Sequence, residues 1–392
     1  MAATPISLPA LTAAGFLALK GGDLQAARNY FEQAVMIGHA DPAAWFGLSC
    51  LHRSMGESAK EDAALDRVLG LDPHHLPSLI AKGDLFAKLG DRRAADSYYA
   101  AALSLGAKLP SLSPDWHAEL RRVEALSRGF AQEYEAHLLR ALGAGGLGRA
   151  GTERFSHAID LLLGKRKIYF QQPRCFYYPE LPQIQFFNRD LFPWIEALEC
   201  DFDTIRREAL AILQADVGFA PYVLRDADRP AFDVRGLLDN PSWGAFFLIQ
   251  DGSIVEKNAA LCPRTLAALS AIPLCRIENR TPSVLFSLLR PGARIPPHHG
   301  FMNARVIAHL PLIVPPNCAL RVGNETRGWC EGEVVLFDDT IEHEAWNASS
   351  EPRLVMIFDV WRPELSAEER DLVTAMLRAI DTFGGPRRQW TA

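Results

Sequence analysis

Two different apolar periods divide this chain. Up to about residue 142, apolar positions recur at three- and four-residue steps, the pattern of amphipathic helices, and they do so in blocks of 34 residues. With blocks beginning near Leu8, Pro42 and Leu76, glycines fall at Gly22, Gly56 and Gly90, each followed by an acidic residue. One column of the blocks holds the small residues Gly15, Ser49 and Gly83, where two helices must approach closely. Another holds Phe31, Leu65 and Tyr99, and a third holds Ala34, Val68 and Ala102. The pairs Asp41-Pro42 and Asp72-Pro73 interrupt the chain between helices, because proline cannot continue one. Three blocks of stacked helix pairs are about the fewest that share a stable core.

The period is that of tetratricopeptide helix pairs, so residues 1–142 read as a TPR-like α-solenoid with a concave surface for a peptide or protein partner. Residues 114–142 continue it as helix, and residues 143–167 read as a linker followed by a short helix near 154–163. Within the linker Gly146, Gly148 and Gly151 match G-x-G-x-x-G. They follow a helix, whereas a dinucleotide fingerprint must follow a strand. From residue 168 the pattern changes. An aromatic and proline-rich stretch, 168–194, reads as extended chain, and helices are expected near 202–213 and 259–271. Residues 243–252 read as a strand ending in an Asp-Gly turn. Between Ser283 and Trp361 short strands alternate with turns: VLFSLLR, RVIAHLPLIV, CALRV, EVVLFD and RLVMIFDVW. That succession predicts an antiparallel sandwich or jelly roll over residues 168–392. Ser366 and Glu369 form an S-x-x-E capping box before a closing helix.

At 392 residues the chain is long enough for two cores, as the two periods require. A formal charge of −6 argues against a nucleic-acid binder. Seven cysteines, an odd number without a CxxC pair, read as reduced thiols. No run reaches the roughly 18 apolar residues of a membrane span, and the apolar start lacks a basic region before it, so the expectation is a cytoplasmic protein.

The candidate chemistry lies in the β region. His298 and His299 follow a Pro-Pro turn, and His343 follows a strand some 45 residues later. Two loops meeting at the open end of a barrel bring such imidazoles together, and imidazole suits iron, zinc or copper. Arg353 opens an apolar strand, where a buried charge needs a carboxylate partner. In RVIAHLPL, Arg305, Ile307 and His309 share one strand face, and polar groups turned into a barrel need a ligand or a partner. Asp338 and Asp339 either cap the turn before His343 or orient that ring or a bound water.

The stretches FSLLRPGARIPPHHG, NARVIAHLPLIVP and RVGNETRGWCEGEVVLFDDTIEHEAWNASSEPRLVMIFDVWRPEL resemble the aspartyl/asparaginyl β-hydroxylase family of 2-oxoglutarate oxygenases. The resemblance covers roughly residues 168–365 and is most specific from 286 to 364. It implies a double-stranded β-helix (jelly roll or cupin-like) with an Fe(II) site and 2-oxoglutarate as co-substrate. By the family's H-x-G pattern, His298 matches the first metal ligand, with Gly300 where related oxygenases carry a carboxylate. His343 matches the second ligand, and Arg353 matches the arginine that clamps the far carboxylate of 2-oxoglutarate. Ser287, His309 and Trp243 match further co-substrate contacts. The second arginine of the family's R-x-R-x-H is Ile307 here, which leaves Arg305 to supply charge to the co-substrate or to meet the main substrate. The implied reaction couples O2 and oxidative decarboxylation of 2-oxoglutarate to hydroxylation of an unactivated C–H bond. The β-carbon of Asp or Asn in a protein presented by the repeats is the expected target. A lipid or small molecule, or a repeat adaptor with a non-catalytic β domain, are the alternatives.

Overall fold

The structure, a computed structural model, describes residues 7–38, 41–146, 153–215, 218–224, 236 and 238–383. The chain separates into two compact units, Met1–Leu163 and Gly164–Ala392.

The first unit consists of helices α1 (Leu8–Lys20), α2 (Leu24–Ile37), α3 (Pro42–Ser54), α4 (Ser58–Leu71), α5 (Leu76–Leu89), α6 (Arg92–Gly106), α7 (Pro114–Ala144) and α8 (Glu153–Leu162). Helices α1 to α6 form three hairpins, and each hairpin starts at a position the 34-residue period predicts. Gly22, Gly56 and Gly90 all have left-handed backbone, φ 79°, 72° and 85°, which explains that column: each turn demands a conformation that side chains resist. The acidic residues after two of them cap the next helix, Asp23 accepting from the Ala26 amide and Asp91 from that of Ala94. The small-residue column is a packing requirement. A Cβ at Gly15 would lie 2.6 Å from the Phe31 ring, and one at Gly83 would lie 2.4 Å from the ring of Tyr99. Gly47, which the columns do not single out, meets Phe31 more closely still, at 2.1 Å. Of the glycine-rich linker, Gly148 and Gly151 lie outside the described residues.

The second unit carries strands β1 (Ala220–Pro221), β2 (Trp243–Gln250), β3 (Ser253–Ile254), β4 (Val284–Leu289), β5 (Arg294–His298), β6 (Arg305–Ile313), β7 (Cys318–Val322), β8 (Glu325–Arg327), β9 (Val335–Phe337), β10 (His343–Asn347) and β11 (Arg353–Trp361). Its helices are α9 (Ile195–Cys200), α10 (Phe202–Ala215), α11 (Glu256–Ala259), α12 (Pro263–Leu269) and α13 (Ala367–Thr382), the last opened by the Ser366–Glu369 capping box. Among the described residues the strands form two antiparallel sheets. The larger runs β1-β2-β4-β11-β6-β9 with β3 beside β2, and the smaller runs β5-β10-β7-β8.

Alternation along the strands gives the large sheet two working faces. Val306, Ala308 and Leu310 with Phe286, Met356 and Phe358 point to one side, where Leu198, Ile205, Ala209 and Ile212 of the helices cover them. Trp243, Leu289 and Ile307 point to the other, against Ile295, Leu320, Val322 and Ala345 of the small sheet. The candidate site lies in this layer between the sheets. The extended segment after residue 168 crosses one end of it: the Gln172 amide donates to the Thr340 carbonyl at 2.7 Å, and the Arg174 amide to that of Gly300 at 2.9 Å.

Candidate functional site

His298 and His343 were expected on loops; they are strand residues instead. His298 ends β5, His343 begins β10, and the two are direct cross-strand partners. The sequence hides β5 behind Pro296 and Pro297, which are tolerated because β5 is an edge strand and its outer amides need no ladder partner. The ring centroids of the two histidines lie 4.0 Å apart. Each ring nitrogen Nδ1 meets a backbone carbonyl two residues earlier: Pro296 O at 2.9 Å for His298 and Ile341 O at 3.1 Å for His343. A carbonyl only accepts, so both Nδ1 atoms carry a proton, which makes Nε2 the ligating atom of each ring in its neutral form. Burial holds the pKa of His343 well below the usual histidine value, with the neighbouring His298 ring adding to the effect. Two neutral imidazoles fixed in this tautomer are what a metal ion requires. Among the described residues no group of three or more His, Cys, Asp or Glu side chains is arranged around a common metal position.

Contacts lead from this pair to the other expected residues. The Trp243 ring lies 6.4 Å from that of His298, and its indole N–H donates to Ser287 Oγ at 3.1 Å. Ser287 Oγ also accepts from Arg353 Nη2 at 3.3 Å. On the other side Phe337 touches both His343, at 5.4 Å between centroids, and His309, at 4.9 Å. His298, His343, Trp243, Ser287, Arg353 and His309 are thus brought together in one interior.

Arg353 is the residue with the most telling environment. It is 1 % exposed, its Nε has no hydrogen-bond partner, and among the described residues no carboxylate pairs with it. Burial lowers its pKa to about 10, with the Cys318 thiol pulling weakly the other way. Its guanidinium lies 4.9 Å from the ring centroid of Trp329. His309 Nδ1 and Trp329 Nε1 are likewise buried without partners, and burial, followed by the charge of Arg353, lowers the His309 pKa to about 3. Unpartnered guanidinium, imidazole and indole nitrogens in one interior are equipped to receive oxygen acceptors, and the lone cation calls for an anion. Trp329 lies in the turn between β8 and β9, and nothing in its sequence neighbourhood marks it.

Arg305 differs. Its guanidinium is held by two carboxylates, donating to Asp359 and, at 2.9 Å, to Asp339 Oδ2, so its charge is already answered. Asp339 in turn fills the space beside Gly300, where a Cβ would lie 1.9 Å from its Oδ2. Its other oxygen, Oδ1, is buried without a partner, and burial raises its pKa to about 6 despite Arg305. Asp338 is a structural anchor. It accepts from Gln171 Nε2 and Arg362 Nη1, both at 2.7 Å, and from the Thr340 amide at 3.0 Å, tying the crossing segment and the end of β11 to the turn before His343.

Residues 199–363 match the family described as aspartyl/asparaginyl β-hydroxylase, and residues 42–75 and 76–106 match the tetratricopeptide repeat. Human aspartate β-hydroxylase domain-containing protein 2 is 33% identical over 222 residues, 56% of this chain and 56% of that protein. The ornithine lipid ester-linked acyl 2-hydroxylase of Rhizobium tropici is 34% identical over 194 residues, 47% of this chain and 63% of that one. Human aspartyl/asparaginyl β-hydroxylase is 34% identical over 184 residues, 46% of this chain and 23% of that one. The chain therefore spans less than two thirds of the length of each of these relatives. The matches fall on the strands that assemble the site and on the helix pairs ahead of them: residues 199–363 carry a domain similar to the aspartyl/asparaginyl β-hydroxylase family, behind tetratricopeptide repeats.

Proposed function

We propose that the Gly164–Ala392 unit is an Fe(II)- and 2-oxoglutarate-dependent oxygenase, built as a double-stranded β-helix, that hydroxylates an unactivated C–H bond. The observation that carries this reading is the cross-strand pair His298 and His343, each with Nδ1 held by a carbonyl, beside a buried guanidinium that has no carboxylate partner among the described residues. The donor set fits the group: two imidazoles whose Nδ1 atoms are held by carbonyls present Nε2 atoms of the kind that suits Fe(II). When bound, Fe(II) and 2-oxoglutarate would supply the oxidising chemistry for the C–H bond with O2 as the oxidant, the keto acid leaving as succinate and CO2.

The side chains supply geometry. The Pro296 and Ile341 carbonyls hold the two rings in the ligating tautomer. Arg353, steadied by Ser287, binds the far carboxylate of 2-oxoglutarate through charge-assisted hydrogen bonds and so fixes the keto acid's direction. Trp243 fixes Ser287, and His309 and Trp329 offer polar atoms to the same co-substrate. Asp339, next to Gly300, offers an acceptor for a water on that side. Arg305 positions Asp339 and does not meet the co-substrate.

Two substrates compete: the side chain of Asp or Asn in a protein presented by the repeats, or the acyl chain of a lipid, as the name of the Rhizobium relative describes for that protein. The second is favoured by β6. With Arg305 neutralised and Ile307 apolar, strand β6 itself offers no spare cation for a substrate carboxylate.

The test is O2-dependent succinate formation from 2-oxoglutarate with Fe(II), alongside Fe(II) binding measured by calorimetry. Both are expected to disappear in His343→Ala and to survive in His299→Ala. Turnover lost in His299→Ala but kept in His343→Ala reassigns the ligand, and no turnover in the parent protein leaves the adaptor alternative standing.

A further inference from the structure

Resting on the oxygenase reading, we propose that the segment crossing the site's end is an interfacial docking strip that brings the second unit to an anionic lipid membrane. The strip begins GKRKIYFQQPR at Gly164. Three consecutive cations, Lys165, Arg166 and Lys167, lead directly into Ile168 and Phe170, which are 66 % and 54 % exposed. Burial alternates along this segment, with Ile168 and Phe170 exposed, Tyr169 half-buried and Gln171 buried. Tyr169 turns inward under the Arg321 guanidinium, and Gln171 is buried on Asp338 and the Pro182 carbonyl. Ile168 and Phe170 are left exposed on the outer face.

The placement gives this face its meaning. Lys167 is pinned through its backbone to Asn324 in the β7–β8 turn, its amide donating to Asn324 Oδ1 at 3.0 Å and its carbonyl accepting from Nδ2 at 2.6 Å. A few residues on, the strip bonds to Thr340, just before His343, and to Gly300, just after His298. It therefore lies along the rim over the two histidines and is held there by bonds that do not involve its outer side chains. An aliphatic and an aromatic side chain beside a triple cation are complementary to a surface that is apolar below and negative above. No described helix is long and apolar enough to cross a membrane. The attachment is peripheral, and it delivers a lipid whose acyl chain enters an interior walled by the apolar Ile307, Phe337 and Ile341.

The experiment is flotation of the full chain with phosphatidylcholine vesicles, with and without phosphatidylglycerol. The parent is expected to bind the phosphatidylglycerol vesicles and to release them at high salt. Removing the two cations in Lys165→Glu/Lys167→Glu weakens binding by about 25-fold or more, at about 1 kcal/mol per cation. Ile168→Ser/Phe170→Ser abolishes binding while leaving thermal stabilisation by 2-oxoglutarate with Fe(II) as in the parent. Equal affinity for both vesicle types, or undiminished binding by the Ile168→Ser/Phe170→Ser variant, overturns the proposal. Succinate formation without vesicle binding sinks the membrane docking alone, and vesicle binding without succinate formation sinks the oxygenase reading alone.

Discussion

Gly300 and Asp339 occupy one space. The carboxylate of Asp339 lies where the side chain of any other residue at 300 would stand, its Oδ2 being 1.9 Å from an ideal Cβ, while its backbone carbonyl accepts from the Gly300 amide at 2.6 Å. The glycine after His298 is therefore required by packing as well as by chemistry. Gly300→Ala must displace Asp339 and loosen its pair with Arg305, at about 1–3 kcal/mol of overpacking and lost ion pairing. Gly300→Ala/Asp339→Ala relieves the clash, so the double variant is expected to be more stable than the sum of the two single losses predicts. Urea denaturation of the four proteins measures the coupling; simple additivity would refute the shared-space argument.

His309 gives the site a defined response to acid. Its pKa is about 3 in the folded protein against the ordinary histidine value of 6.5, because burial and Arg353 both disfavour its charged form. Between those limits the unfolded chain takes up a proton that the native state refuses. This contribution to stability is complete above pH 6.5 and declines as pH falls toward 3. His309→Gln keeps a neutral polar side chain and removes the titration. Its unfolding free energy is expected to fall less steeply between about pH 6 and pH 4, by up to about 1.4 kcal/mol per pH unit. Parallel slopes for parent and variant would contradict the assignment.

How much of this was legible in the sequence depended on whether the signal was local. The helix pairs of the first unit were readable because each repeat writes the same local requirement, a left-handed turn at Gly22, Gly56 and Gly90. Strands β4, β6, β7 and β11 announced themselves by apolar runs. Strands β5 and β10, which carry His298 and His343, did not: one contains two prolines and the other the polar His343, Glu344 and Asn347. Both are set by pairing with each other, a non-local fact. The same holds for Arg305, whose carboxylate partners lie 34 and 54 residues away, and for Trp329, whose unpartnered indole gains significance only beside Arg353. Residue identity pointed to chemistry at Arg305, Arg353 and His309 alike, and only their neighbours separate the neutralised cation from the free one.

Arg353 carries the last prediction, because its two roles pull in opposite directions. As a buried cation without a carboxylate it destabilises the ligand-free fold, and as the sole uncommitted interior cation among the described residues it is the means of holding a dicarboxylate. Arg353→Met keeps the length and apolar stem and deletes the charge. Without ligand, this variant is expected to be more stable than the parent by about 1–4 kcal/mol, as when unfavourable buried charges are replaced by apolar groups of similar volume. With 2-oxoglutarate and Fe(II), the parent gains thermal stability in proportion to ligand occupancy and the variant gains little, since the anchoring hydrogen bonds are gone. Melting curves of both proteins across a 2-oxoglutarate titration measure the two effects together. A variant that is less stable without ligand, yet still stabilised by 2-oxoglutarate as strongly as the parent, would mean that Arg353 serves the fold and that the anion is held elsewhere.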